Sequence, residues 1–200
     1  MKLCVVGNGS SARGQGTIID ACDFVVRIKA WWQNGAADSG SRCDALAHYG
    51  WGGGGLTEFT REHWITQTVD QVQGHDDGWG RLGYVNRVAN HRPIRWLTKQ
   101  AWLSLETHLG SHPSTGIVAV AMALSVMKPT ELVVYGFDST TPGKPNFADA
   151  RGNVLSEEYL AAPDHDHLAE KRAMADLLNG TWLGEPSGVK LTWPDMPELT

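Results

Sequence analysis

LCVVGNGSS, residues 3–11, decides the fold. An apolar run of strand type ends abruptly in a Gly-Asn-Gly-Ser-Ser turn, and turns of that make-up hold anions. Gly7 and Gly9 lack a β-carbon, which lets main-chain N–H groups come close to a phosphate. Asn8, Ser10 and Ser11 add side-chain donors. A strand feeding such a turn predicts the first unit of an α/β nucleotide-binding domain, with ligand beyond the strand's carboxyl end. The same composition also serves plain βα connections. The dinucleotide fingerprint is not met. The next glycine after Gly9 is Gly14, which breaks the G-x-G-x-x-G spacing, and Lys29 stands after the second strand where an acidic residue would bind a ribose. The chain is thereby set apart from NAD-type dehydrogenases.

Outward from that turn, short apolar runs alternate with longer segments of helical period, the pattern of an α/β fold. A Rossmann-like, mostly parallel sheet with helices on both faces follows. Strands are expected at residues 2–6, 24–28, 45–49, 64–68, 94–97, 132–135 and 189–193, and helices at 17–22, 99–108, 114–127 and 166–178. With 200 residues, 42% of them hydrophobic and 20% charged, residues 1–200 are read as one globular domain. A net charge of −5 argues against a broadly basic nucleic-acid surface, although Arg81, Arg87, Arg92, Arg95 and Lys99 form a local basic run. No apolar run nears the roughly 18 residues that cross a bilayer, and the chain opens on a core strand, so a cytoplasmic location is expected. Cys4, Cys22 and Cys43 are odd in number and lack metal-type spacing, which predicts reduced thiols. Among nine tryptophans, Trp64, Trp96, Trp102, Trp182 and Trp193 lie in apolar-periodic segments and read as core. Trp31, Trp32, Trp51 and Trp79 fall in or near loops, the last two in the glycine-bearing stretches at 50–55 and 74–83, where aromatic faces can stack on sugars or bases.

A second block, HPSTGIVAVAMALSVMKPTELVVYGFD, spans residues 112–138. Ser114, Thr115 and Gly116 open an almost wholly apolar helix, which leads into a buried strand ending at Gly136. A helix start carries unsatisfied N–H groups and partial positive charge, so it is a second anion-compatible turn as well as an ordinary N-cap. The third block is PDHDHLAEKRAMADLL, residues 163–178. His165 lies in a polar run just before a helix, and an imidazole there suits a general base acting on a hydroxyl. Glu170 is five residues on, off the helical face of His165, so the two can meet only if His165 lies outside the helix. Asp164 and Asp166 are N-cap candidates.

Taken in order, the three blocks resemble the sialyltransferases. VVGNGSS with DFVVRIK is similar to the long sialylmotif, HPSTGIVAVAMAL with VVYGFD to the short one, and His165 with Glu170 to the very short His-x-x-x-x-Glu motif. The similarity is nearer to the animal-type family, with the bacterial CMP-sialic-acid-dependent enzymes as the neighbouring alternative. The resemblance implies a GT-A-like fold and an inverting, metal-independent glycosyltransferase. It would move sialic acid or a related acidic sugar from a CMP-sugar, a donor substrate rather than a cofactor. By the same resemblance, Gly7, Asn8, Gly9, Ser10 and Ser11, with Lys29 and Gly136, would border the nucleotide. Ser114, Thr115 and Gly116 would hold phosphate or the sugar carboxylate, and His165 with Glu170 would form the catalytic pair. The acceptor is left open: a glycan, another hydroxyl-bearing molecule, or a nucleic acid.

The sequence departs from that family at three points. Lys29 replaces the asparagine of an Arg-x-Asn pattern, no cysteine follows Cys43 to bridge the long and short motifs, and no His-x-x-Tyr motif lies between Asp138 and His165. The donor of a proton to the leaving phosphate is therefore unassigned, with Tyr159 a candidate. Two other classes remain open. Asp164-His165-Asp166 is formally the D-x-D triplet of metal-dependent glycosyltransferases that use nucleotide diphosphate sugars. A module that binds nucleotide or glycan without turnover is the other.

Overall fold

In the computed structural model, residues 1–28, 36–49, 60–74, 85, 89, 91–137 and 165–194 are described. Seven strands form one parallel sheet: β1 (Lys2–Val6), β2 (Phe24–Ile28), β3 (Ala45–His48), β4 (Glu62–Ile65), β5 (Ile94–Trp96), β6 (Glu131–Tyr135) and β9 (Lys190–Thr192). Their order is β5-β4-β3-β2-β1-β6-β9. A two-stranded hairpin of β7 (Thr181–Trp182) and β8 (Glu185–Pro186) stands apart from that sheet. The helices are α1 (Gly16–Asp20), α2 (Ala36–Ser39), α3 (Val69–Gly74), α4 (Lys99–Leu109), α5 (Thr115–Met122) and α6 (His167–Leu178). The α/β reading holds.

Alternation along the strands sorts side chains to two faces. Leu3, Val5, Val26, Ala45, Ala47, Trp64, Leu132 and Val134 pack with Trp102, Leu105, Ile117, Val120, Met174 and Leu177 of α4, α5 and α6. On the other face Cys4, Val6, Val25, Val133 and Tyr135 pack with Ile19 and Cys22. Residues buried on both sides read as continuous apolar runs, which is why β1, β2 and β6 are plain in the sequence.

Two expected elements shift. The fourth strand lies at Glu62–Ile65 rather than 64–68, because two buried polar residues open it. Glu62 accepts from Trp64 Nε1 at 2.6 Å and from Arg95 Nε at 2.9 Å, while His63 pairs with His48. The expected helix at 114–127 widens after Met122 into a π-helical turn, Ala123–Met127. There the Ser125 hydroxyl donates to the Ala121 carbonyl at 2.8 Å, and Lys128, at φ 47°, ends the run.

The described part of the basic run is spent within the fold. Arg95 bonds Glu62, Lys99 pairs with Asp70, and Arg92 donates to the Thr60 carbonyl at 3.0 Å. Trp64, Trp102 and Trp193 are buried and Trp96 and Trp182 half-buried, while the loop tryptophans lie outside the described residues. The three cysteines are free thiols in the interior. No described helix is long and apolar enough to cross a membrane.

The strand order reverses at β1. The chain runs from β1 outward through β2 to β5, then returns to place β6 on β1's other edge. A crevice at such a reversal, beyond the carboxyl ends of the two strands, is where open α/β sheets bind ligands. Here those ends touch. The Gly7 N–H donates to the Tyr135 carbonyl at 2.8 Å, the Gly9 N–H to the Gly136 carbonyl at 2.9 Å, and the Gly136 N–H to Ser11 Oγ at 2.8 Å.

A β-carbon on Gly7 would lie 2.3 Å from the Gly136 carbonyl oxygen, a backbone atom held by the Gly9 N–H. One on Gly116 would lie 3.1 Å from Phe137 Cε1, a side chain with some freedom. Gly7→Ala is therefore expected to cost at least ~3 kcal/mol and Gly116→Ala ~1 kcal/mol. Urea unfolding of the two variants checks the ordering, and equal costs would contradict the close β1–β6 approach.

Candidate active site

The chain's three motif blocks meet at this crevice. Phe137, directly after β6, joins the first two: its ring lies 3.4 Å from where a Gly7 β-carbon would be and 3.1 Å from that of Gly116. The turn after β1 and the start of α5 are thereby fixed to one aromatic side chain. Because the Gly7 N–H is committed to the carbonyl of Tyr135 in β6 and the Gly9 N–H to that of Gly136 just beyond it, these two N–H groups join the strand ends. Ser11 Oγ accepts the Gly136 N–H and likewise ties the two strand ends. Asn8 and Ser10 lie between them in the same turn.

At the start of α5, Ser114 is the N-cap, its Oγ facing the Ile117 N–H at 3.5 Å. The same hydroxyl donates to Glu170 Oε2 at 2.7 Å, and the Ser114 N–H donates to Glu170 Oε1 at 2.6 Å. Both carboxylate oxygens of Glu170 thus hold the entry to α5. Burial pushes the Glu170 pKa up, against the two Ser114 hydrogen bonds, which favour the charged form. Glu170, expected as the catalytic partner of His165, ties α6 to α5 through its carboxylate. Helix geometry leaves the Thr115 and Gly116 N–H groups, which were expected to face an anion, without intrahelical acceptors.

His165 lies outside α6, whose N-cap is Asp166 with its Oδ1 accepting the Ala169 N–H at 2.9 Å. The backbone N–H of Asp166 donates to Ser111 Oγ at 3.1 Å, drawing this segment onto the end of the 110–114 loop. His165 Nδ1 is 2.8 Å from the His112 carbonyl oxygen. A carbonyl only accepts, so Nδ1 carries the hydrogen and Nε2 of the neutral ring is the proton acceptor. That is the tautomer a general base needs. His167, whose pKa burial lowers with a further push from His165, lies behind it with ring centroids 6.0 Å apart.

Lys29, Asp138, Tyr159 and Asp164 lie outside the described residues, as do the glycine loop at 50–55 and most of that at 74–83. What the motif reading missed is on the near side of His165. His112 stacks on it, with centroids 6.0 Å apart and planes at 29°. The only sequence sign of that contact was a histidine shortly after the expected helix end, where Gly110 turns the chain back at φ 68°.

No family model and no curated protein matches the sequence. Solved structures do match. A mammalian sialyltransferase superposes with a TM-score of 0.56 at 19% identity, over 96% of this chain and 68% of that one. The sialyltransferase CstII from Campylobacter jejuni, in complex with cytidine-5'-monophosphate, superposes with a TM-score of 0.55 at 13% identity, over 96% of this chain and 79% of that one. The chain has the sialyltransferase fold. At 21% identity and a TM-score of 0.54, the mammalian structure in complex with Gal-beta-1-3GalNAc-ortho-nitrophenol agrees. The animal-type and bacterial alternatives raised by the motifs are thus both represented among the neighbours.

Proposed function

We propose that this chain, as one catalytic domain, transfers sialic acid or a related acidic sugar from a CMP-activated donor to an acceptor hydroxyl, with inversion and without a metal. The observation that carries the reading is His165, fixed by the His112 carbonyl with Nε2 as acceptor, at a crevice where the β1–β6 reversal meets the start of α5. The neighbours' bound cytidine-5'-monophosphate and disaccharide support it by likeness of fold.

The chemistry follows from the parts. The acceptor oxygen attacks the anomeric carbon while the bond to the CMP phosphate breaks through an oxocarbenium-like state. His165 Nε2 takes the acceptor's proton, and the first N–H groups of α5 stabilise charge growing on the phosphate. One base and one face of attack invert the carbon.

Calorimetric titration of CMP, CDP, UDP, GDP and NAD into the protein, with EDTA and then with Mn²⁺, tests the reading. CMP is expected to bind preferentially and unchanged by EDTA. A nucleoside diphosphate bound only with metal would transfer the assignment to the D-x-D class. Binding of CMP without transfer or hydrolysis of a CMP-sugar would mark a module without turnover.

A further inference from the structure

We propose that His112 is the general acid of this reaction, protonating the phosphate oxygen of the departing CMP while His165 deprotonates the acceptor. The proposal rests on the CMP-sugar reading above. That reading leaves one role unfilled, since no His-x-x-Tyr motif precedes His165.

The geometry gives the two imidazoles contrasting neighbours, a carbonyl for His165 and a carboxylate for His112. His165 Nδ1 faces a neutral carbonyl at 2.8 Å, and the ring is poised to gain a proton. His112 Nδ1 faces the Glu106 carboxylate at 3.5 Å, an ion pair when the ring carries both protons, with its Nε2 proton the one to give. Paired titratable groups in contrasting surroundings are how one site divides acid from base work. Gly110 makes the arrangement possible by ending α4 in a left-handed turn, so that His112 folds back onto that helix and meets Trp102 edge-on at 4.9 Å. Trp102 is itself anchored, its Nε1 donating to the Thr66 carbonyl at 3.3 Å. The side chain of His112 stays 42% exposed, open to a ligand, two residues before the cap of α5.

The charged and titratable groups around His112 are Glu106 from α4, His165 ahead of α6, and His167 beyond it, while the Glu170 carboxylate is turned to Ser114. Within the stacked pair the proton count closes. One proton passes from the acceptor hydroxyl to His165 Nε2 and one from His112 Nε2 to the phosphate. The acceptor O–C bond forms as the C–O bond to phosphate breaks, its electron pair leaving with CMP. The pair carries a single positive charge before and after, shifted from one ring to the other, and exchange with water resets both.

Release of CMP from CMP-N-acetylneuraminic acid, with water as acceptor, is the assay. His112→Gln keeps the backbone carbonyl that positions His165. It is expected to lower kcat by ~10²-fold or more, leave the Kd for CMP within about threefold, and remove the high-pH limb of the rate profile while the low-pH limb of His165 stays. His112→Ala is expected to regain rate on adding imidazole, more so at lower pH where imidazolium prevails. Glu106→Gln, an isosteric change at a half-buried position, is expected to slow kcat by ~10-fold with KM little altered. A His112→Gln enzyme that keeps its high-pH limb and a rate within threefold of wild type overturns the proposal and leaves the CMP-sugar reading standing. Failure of the wild-type protein to bind CMP or release it from the donor overturns both.

Discussion

His165→Ala is expected to reduce transfer by ~10²–10⁴-fold in kcat while CMP binds within a few-fold of its wild-type affinity. The split follows from what the side chain touches. His165 sits ahead of α6 and contributes neither to the apolar core nor to the helix cap, which Asp166 supplies. Its hydrogen bond to the His112 carbonyl sets the tautomer, so removing the ring deletes a proton acceptor and leaves the crevice walls in place. Phe137, Gly7 and Gly116, which join the two turns, are untouched. Isothermal titration with CMP beside a steady-state transfer assay reads both quantities at once. A His165→Ala enzyme with full activity would remove the base assignment. One that loses CMP binding in proportion to rate would make the residue a wall of the site instead.

Acid destabilises this protein well above the pH at which exposed carboxylates titrate. His48 and His63 face each other across β3 and β4, Nε2 to Nδ1 at 3.0 Å, both buried. Burial lowers the His48 pKa to about 3, with His63 adding to the effect, and lowers the His63 pKa to about 4, with Arg92 adding to it. In the unfolded chain both rings take up protons near pH 6.5. Between that pH and about 4 the unfolded state therefore binds more protons than the folded one, and stability falls as pH falls. Above pH 6.5 the contribution is fully present; at pH 4 the loss from the two rings together is on the order of 6 kcal/mol, comparable with a typical domain's whole stability. Urea midpoints measured from pH 7.5 to 4 should slope downward through this window, and His48→Leu/His63→Leu should flatten the slope whatever its stability at neutral pH. A wild-type midpoint constant from pH 6.5 to 4.5 would contradict the buried neutral pair.

Most of the sheet was legible because its strands are buried on both faces. Lys2–Val6 and Phe24–Ile28 stand where apolar runs and flanking turns placed them. β4 was displaced because Glu62 and His63 look like loop residues until their partners arrive from β5 and β3, and cross-strand partners have no sequence spacing. The segments that the motifs singled out lie together in the fold, and the hydrogen bonds among them could not be read from the motifs. The glycines of the first turn were read as letting main-chain N–H groups approach a phosphate, while the Gly7 N–H bonds to Tyr135 of β6 and the Gly9 N–H to Gly136 just beyond it. Glu170 was set beside His165 by the motif, whereas its carboxylate reaches Ser114, on a helix 56 positions earlier. His112 was part of a quoted block but unassigned, since only the turn at Gly110 shows it folding back toward His165.

The strand order also sets a timetable for synthesis. β1 lies between β2 and β6 in the finished sheet, yet its partner on one side is made only after about 125 further residues, an interval on the order of 6 to 25 s at ordinary elongation rates. Through that interval the β6-facing backbone of an apolar strand waits without its ladder, a bare edge of the kind that recruits other chains. The crevice cannot exist before β6 arrives, so the nascent chain passes through its most aggregation-exposed stage before it has any ligand site to be rescued by.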